Sequence, residues 1–191
     1  MIEKTRCLWC EKDDLYRLYH DTEWGVPSYD DQHLFEHLIL ETFQAGLSWH
    51  TILKKRENFR IAFDYFDAKK ISEYNETKIE QLMNDSSIIR SKGKINAAIN
   101  NTSKYLDCIK EYGTFSNYIW QFTNHKIIVN NWQTIKDLPA TNNVSDKMSL
   151  DMKKRGFKFI GSISCYAFMQ SVGMVNDHLA SCFLYHKKNM M

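Results

Sequence analysis

The sequence holds only two prolines and seven glycines in 191 residues. Such a scarcity of turn formers argues against an all-β sandwich or barrel, which needs a breaker every few residues. Alternating strand patterns are nearly absent too. Apolar residues instead recur at spacings of three and four, the period of helices that bury one face. No apolar run approaches the roughly 18 residues a spanning helix requires, and Met1 to Cys10 contains no apolar signal core. Cysteines are few and odd in number, five in all. With no leader in view, the expectation is a cytoplasmic protein, away from membranes, whose cysteines are free thiols or metal ligands rather than disulfides. Net charge is low, +2, so overall charge argues only weakly for a polyanionic partner. No repeat, low-complexity tract or linker divides the chain, and a monomer is the default.

Aromatic residues are abundant at 14%, enough for a ring-rich core or for stacking surfaces. Basic residues gather locally in Lys54-Lys55-Arg56, in Arg90/Lys92/Lys94, and in Lys153-Lys154-Arg155 with Lys158. One such cluster suits a solvated face. Three, two of them beside turn-like glycines, suit phosphate contact. Leu34, Phe35, Leu38, Ile39 and Phe43 predict a helix starting near Asp30 or Asp31, and Trp49, Ile52 and Leu53 begin another after Gly46. Further helices follow after the cap Asn75, from Ile95 to Leu106, around Phe115 to Phe122, from the cap Ser145 to Lys154, and from Ser162 to Val172. Thr123 to Asn143 reads as a long polar connection with an extended piece at Ile127-Ile128-Val129. The fold class is all-α, with two helical lobes.

Three constellations carry chemistry. His178 and Cys182 are four apart, which on a helix places them on one face. With Cys7 and His20 they complete a Cys2His2 set, the closed tetrahedral donor set of a structural zinc. Buried, unligated cysteines are the plain alternative, and Cys7-Leu8-Trp9-Cys10 is a rival CxxC pair. Met152 to Gly161, followed by an amphipathic helix, looks like a helix–hairpin–helix, whose backbone N–H groups and flanking lysines can face a phosphate. An ordinary helical turn fits equally well. Arg90-Ser-Lys-Gly-Lys94 is a second stretch of that kind. Finally, Tyr16 and Tyr19 lie three apart before His20, and Glu41 sits beside the apolar stripe of its helix ahead of Trp49. A carboxylate there is costly unless paired or binding something. A salt bridge is one reading. The other is a pocket in which Tyr16 and Trp49 stack on a flat cationic heterocycle while Glu41 accepts its hydrogen bonds.

In this order the segments resemble the DNA-3-methyladenine glycosylase I family. They are Arg6-Cys7, Tyr16 to His20, His20-Asp-x-Glu-Trp-Gly-Val-Pro27, Gln44-Ala-Gly-Leu-Ser-Trp49, Leu53 to Asn58, Ile88-Ile-Arg-x-x-Gly-Lys-Ile95, Lys153 to Gly161, and Val175-Asn-Asp-His178. The resemblance covers Arg6 to Cys182. It implies one unit over 1–191 of two helical lobes, about 30–145 against roughly 1–29 plus 146–191. It implies one structural zinc at Cys7, His20, His178 and Cys182. It implies Glu41 as the catalytic base-recognising group, with Tyr16, Trp49 and nearby Tyr19 lining the pocket. The hairpin, through Lys154, Arg155, Gly156, Lys158 and Gly161, would grip DNA backbone. The implied activity is monofunctional base excision repair. Double-stranded alkylated DNA with a flipped base would be hydrolysed to release free 3-methyladenine. Where the wider superfamily carries a catalytic Asp two residues before a His, this chain has Asn176, so the carboxylate mechanism does not carry over. No lysine begins the helix after the hairpin, which favours hydrolysis over a Schiff base. A base-binding module without cleavage and a small-molecule nucleosidase are the competing functions. Cys10 and the His186-Lys187-Lys188 tail match no motif.

Overall fold

A computed structural model describes residues 4–185, so the His186-Lys187-Lys188 tail lies outside the described residues. Helix α1 spans Asp14–Thr22, α2 Asp31–Gln44, α3 Trp49–Lys54, α4 Arg56–Ala62, α5 Ala68–Ser72 and α6 Glu76–Asn84. Helix α7 is Lys92–Tyr112, α8 Phe115–Trp120, α9 Asn143–Lys154 and α10 Ser162–Ser171. No described helix is long and apolar enough to cross a membrane.

Each start has a local cause. The Asp30 carboxylate accepts from His33 N at 2.7 Å and caps α2, and Asn75 caps α6 through Lys78 N at 3.1 Å, satisfying amides that no helical turn precedes. Helix α9 starts earlier than expected. Its cap is Asn142, whose side chain accepts from Val144 N and Ser145 N, and Ser145 returns the bond to Asn142 N at 2.9 Å. Ser145 is thus the inner partner of a capping box, not the cap.

Helix α2 is buried from Leu34 through Phe43, polar residues included, because other elements cover it on all sides. Around it Phe35, Phe43, Phe59, Phe63, Phe115 and Trp120 form the main core, with α7 and α10 packed against α2. A smaller cluster joins the chain ends: Cys7, Tyr16, Tyr19, Trp24, Leu179 and Cys182. Backbone bonds tie those ends directly, with Phe183 N donating to Thr5 O at 2.9 Å.

Two departures from the sequence reading concern the C-terminal third. The extended piece in the long connection is a strand, β1 (Ile128–Val129), paired in parallel with β2 (Val175–Asn176), so the all-α expectation gains one short ladder. His178 and Cys182 do not share a helix face. They stand in an irregular turn, since amides a helix would use internally go elsewhere, Ala180 N to Trp132 O at 2.9 Å and Phe183 N to Thr5 O. Gly173 makes this tail fit. Its φ is +74°, and an added Cβ would lie 2.3 Å from Pro27 N, so only glycine lets the 23–29 segment pass.

Candidate active site

Tyr16, Tyr19, Glu41 and Trp49, singled out from sequence, line one cavity of about 240 Å³. That is just below the roughly 300 Å³ where sites for drug-sized ligands begin, a size for one small heterocycle. Helix α1 supplies the two tyrosines, α2 Glu41 and Gln44, and α3 Trp49. Trp9 and Trp24 close one side, with Ile135 and Leu138 from the long connection and Ala167, Gln170 and Ser171 from α10 completing it. Sequence reading missed Trp9, Ile135, Leu138 and Gln170. The connection carries no periodicity to say where it folds back, and a glutamine near a helix end carries no signal of its own.

The rings form a continuous wall. Tyr16 and Tyr19 stack at 6.5 Å between centroids, Trp9 meets Tyr16 edge-on at 4.8 Å, and Tyr19 lies 5.6 Å from Trp49. Within that wall Glu41 is buried, and its Oε2 has no hydrogen-bond partner among the described residues. Burial alone pushes its carboxyl up to about 8. Trp49 Nε1 is a second buried polar atom without a partner. Leaving such groups unmade costs about 1–3 kcal/mol each, which marks a place shaped to be completed by something else.

Behind the wall lies an ionic network. His37 stacks on Trp49 at 5.7 Å and 24°, and burial depresses it to about 4, which keeps the ring neutral at physiological pH. Its Nε2 meets Glu23 Oε1 at 2.7 Å, and Glu23 Oε2 accepts from Arg56 Nη1 at 2.7 Å. Arg56 and Arg60 also pair with Glu36. Burial alone would raise Glu23, yet bonds from His33, His37 and Arg56 hold it well below the carboxylate range. Glu23, His33 and His37 come within metal-ligand spacing, but the Arg56 guanidinium already occupies that carboxylate. The basic run Lys54-Lys55-Arg56 is therefore partly inward. Arg56 is buried here, and Lys55 Nζ donates to Ser87 O at 2.7 Å.

At the chain ends, Cys7, His20, His178 and Cys182 are all buried and present ligand atoms within 4.8 Å of one another. The N···S separations are 3.8 Å for Cys7–His178, 3.6 Å for His20–Cys182 and 3.6 Å for His178–Cys182. Sulfur at 2.3 Å and nitrogen at 2.0–2.1 Å from one tetrahedral ion would stand about 3.5 Å apart, so the set can hold a metal as it is. Cys7 and Cys182 act as a pair: bonds from Cys7, His178 and His20 draw the Cys182 thiol far below its ordinary value, while the bond to Cys182 and burial push the Cys7 thiol up. Asp21 Oδ1 orients His20 through Nδ1 at 2.8 Å. Cys10 is not in this set. Its thiol donates to Cys7 O at 3.1 Å.

Between α9 and α10 the chain turns through Gly156, φ +91°, and Phe159, φ +54°. Gly161 is the N-cap of α10 and offers no side-chain cap. Lys153, Lys154 and Lys158 are exposed. Arg155 is engaged on the protein itself, with Nε 2.7 Å from Asp151 and Nη1 2.6 Å from Glu111. Two asparagines of α7, not foreseen from sequence, hold the turn. Asn101 grips Lys158 at both ends, accepting from its N at 2.7 Å and donating to its O at 2.9 Å. Asn100 donates to Gly156 O at 2.8 Å. In the second basic stretch, Lys94 Nζ donates to Phe43 O at 2.8 Å and to Ala45 O.

The chain is similar to known proteins. The DNA-3-methyladenine glycosylase 1 of Escherichia coli K12 is 47% identical over 180 residues, covering 94% of this chain and 96% of that one. The DNA-3-methyladenine glycosylase of Haemophilus influenzae is 48% identical over 178 residues, covering 93% and 96%. A crystal structure of 3-methyladenine DNA glycosylase I superposes with a TM-score of 0.90 at 43% identity, covering 94% of this chain and 98% of the other. The Staphylococcus aureus enzyme, solved for the structural basis of 3-methyladenine recognition, gives 0.90 at 35% identity, covering 93% and 95%. The family model for methyladenine glycosylase matches residues 9–185, from the first tryptophan of the cavity to the last described residue, and the chain belongs to that family.

Proposed function

We propose that the protein is a monofunctional DNA glycosylase of base excision repair that hydrolyses the N-glycosidic bond of alkylated, double-stranded DNA and releases 3-methyladenine. The observation that carries this reading is Glu41, a buried carboxyl with an unmatched oxygen inside a wall of aromatic rings. The two curated relatives are named for this activity.

Methylation at N3 makes the nucleoside cationic, and the base then leaves as a neutral molecule, so no acid need protonate it. The protein's work is to hold the base out of the stack, which costs a few kcal/mol and less for a damaged base. Tyr16 and Trp49 stack on the extruded ring, with Tyr19 beside them, each contact contributing roughly 1–3 kcal/mol. A cation entering the cavity favours the ionised form of Glu41, which pairs with it and accepts its hydrogen bonds. His37 supports this from behind, because a neutral ring leaves the face of Trp49 electron-rich. Asn176, at the superfamily's carboxylate position, is buried and cannot supply a carboxylate. The lability of the substrate replaces it.

The donor set Cys7, His20, His178 and Cys182 suits one structural zinc, which supplies a cross-link between the two ends of the chain when bound. The two lobes of this reading, about 30–145 and the terminal segments 1–29 with 146–191, meet at the cavity. The hairpin, through Lys154, Gly156, Lys158 and the open amides after Gly161, holds DNA phosphate without reading sequence. Arg155 contributes by bracing that turn against Glu111 and Asp151. The enzyme acts as a cytoplasmic monomer. The test is release of free 3-methyladenine from methylated duplex DNA. Wild type is expected to release it and Glu41→Gln to be nearly inactive with its fold intact. Equal activity of the two would remove Glu41 from the mechanism.

A further inference from the structure

Asp177 is fully buried in the segment that follows β2, and base capture by Glu41 and the rings leaves it no role. Its two oxygens meet four partners. Oδ1 takes Asn130 Nδ2 and Trp132 Nε1, each at 2.7 Å. Oδ2 takes Tyr166 OH and Gln170 Nε2, each at 2.7 Å. The carboxyl accepts from all four, and the end of the Gln170 amide that faces it is the nitrogen. The hydrogen-bond chemistry thereby fixes an orientation that the shape of an amide alone leaves open. Gln170 also lines the cavity that holds Glu41 and Trp49. With Nε2 given to Asp177, its Oε1 has no partner among the described residues, and the backbone of Gln170 is separately occupied by Gly25.

We infer that Gln170 is a second recognition group of the cavity, an acceptor whose oxygen is held toward the base by Asp177 and which favours a purine carrying an amino donor over one carrying an oxo group. The inference rests on the glycosylase reading and adds a specificity element to it. An amino group at the purine's 6-position gives the oxygen a hydrogen bond. A 6-oxo group sets two acceptors against each other, and an acceptor that the bound base cuts off from water and leaves unmatched is penalised more than a matched one is rewarded. Asp177 is the positioning residue in this arrangement. Changed to asparagine, its own NH2 can donate to the Gln170 oxygen, and the glutamine amide then turns its donor end outward.

The experiment compares release of 3-methyladenine and 3-methylguanine from the same methylated duplex DNA by wild type, Gln170→Leu and Asp177→Asn. Gln170→Leu should lower kcat/KM for 3-methyladenine by about threefold to tenfold, the worth of one lost hydrogen bond, and raise that for 3-methylguanine, because the opposed acceptor is gone. The ratio between the two substrates therefore narrows. Asp177→Asn should narrow it further, since the donor now faces the cavity. A general loss of packing would lower both rates together and leave the ratio alone. An unchanged ratio in Gln170→Leu overturns the assignment of Gln170 while wild-type activity leaves the function standing. A wild-type protein that releases neither base overturns both.

Discussion

Two ring-rich regions of this molecule are built for opposite ends. Around α2 and α7, Phe35, Phe43, Phe59, Phe63 and Phe115 fill volume and carry no polar atom that needs a partner. At the joined chain ends, Trp9, Tyr16, Tyr19, Trp24 and Trp49 surround a cavity, and the groups among them are polar or ionisable: Glu41, His20, His178, Cys7 and Cys182. Composition sees one pool of aromatics. Only the company each ring keeps distinguishes a core that resists water from a wall that awaits a base.

That contrast can be broken from either side. Phe63→Ala, in the dry core, should destabilise the fold by about 3–5 kcal/mol through lost contacts and a residual cavity, with excision per folded molecule unchanged. Denaturant unfolding beside an activity assay at low temperature checks both halves. Glu41→Gln should behave inversely, losing excision by on the order of 100-fold, roughly 2.7 kcal/mol of transition-state binding. Its stability has a definite sign. Between the ordinary carboxylate value of 4.5 and about 8, the folded chain keeps the Glu41 proton that the unfolded chain has lost. Folded wild type therefore weakens as pH rises through that window, by up to about 1.4 kcal/mol per unit, and the Glu41→Gln variant lacks this slope. Melting temperatures from about pH 5 to 8 should show Glu41→Gln more stable by a growing margin. A margin that stays flat would mean Glu41 is ionised in the free protein.

Treatment with a chelator, or Cys182→Ser, should lower the melting temperature while activity survives in the molecules that stay folded. Lost activity at an unchanged melting temperature would place the site in the chemistry instead. Asn101→Ala frees the turn and should weaken DNA binding by about tenfold, the effect of unmaking two part-buried bonds, with affinity for free 3-methyladenine nearly unchanged. Titrations with duplex DNA and with the free base separate the two. The smallest effect belongs to Lys158→Ala, which should reduce the slope of log affinity against log salt by about 1 and leave base preference alone.

Much of the site was legible in the chain because its groups come as pairs at helical spacing. Tyr16 and Tyr19 share a face of α1, and Glu41 stands out as a charge inside the stripe of α2. The Cys2His2 set was readable from residue type, although the helical argument for His178 and Cys182 was wrong, since that segment is a turn held by bonds to Trp132 and Thr5. The ring at Trp9 and the wall at Ile135 and Leu138 were not readable. Neither lies in a periodic segment, and both reach the cavity through loops whose course depends on distant partners.

The sequence by itself determined the helices, their caps at Asp30 and Asn75, and the presence of a carboxylate where an apolar face was due. These follow from interactions within a few residues of chain, where spacing alone says what meets what. Only the tertiary structure decided that Cys7 lies against His178, that Arg56 turns inward to Glu23 instead of outward to a phosphate, and that Asp177 faces Gln170 and Trp132 rather than the base. Those pairings join residues far apart in the chain, and burial sets their energies by excluding water from both partners at once. No local pattern encodes that exclusion.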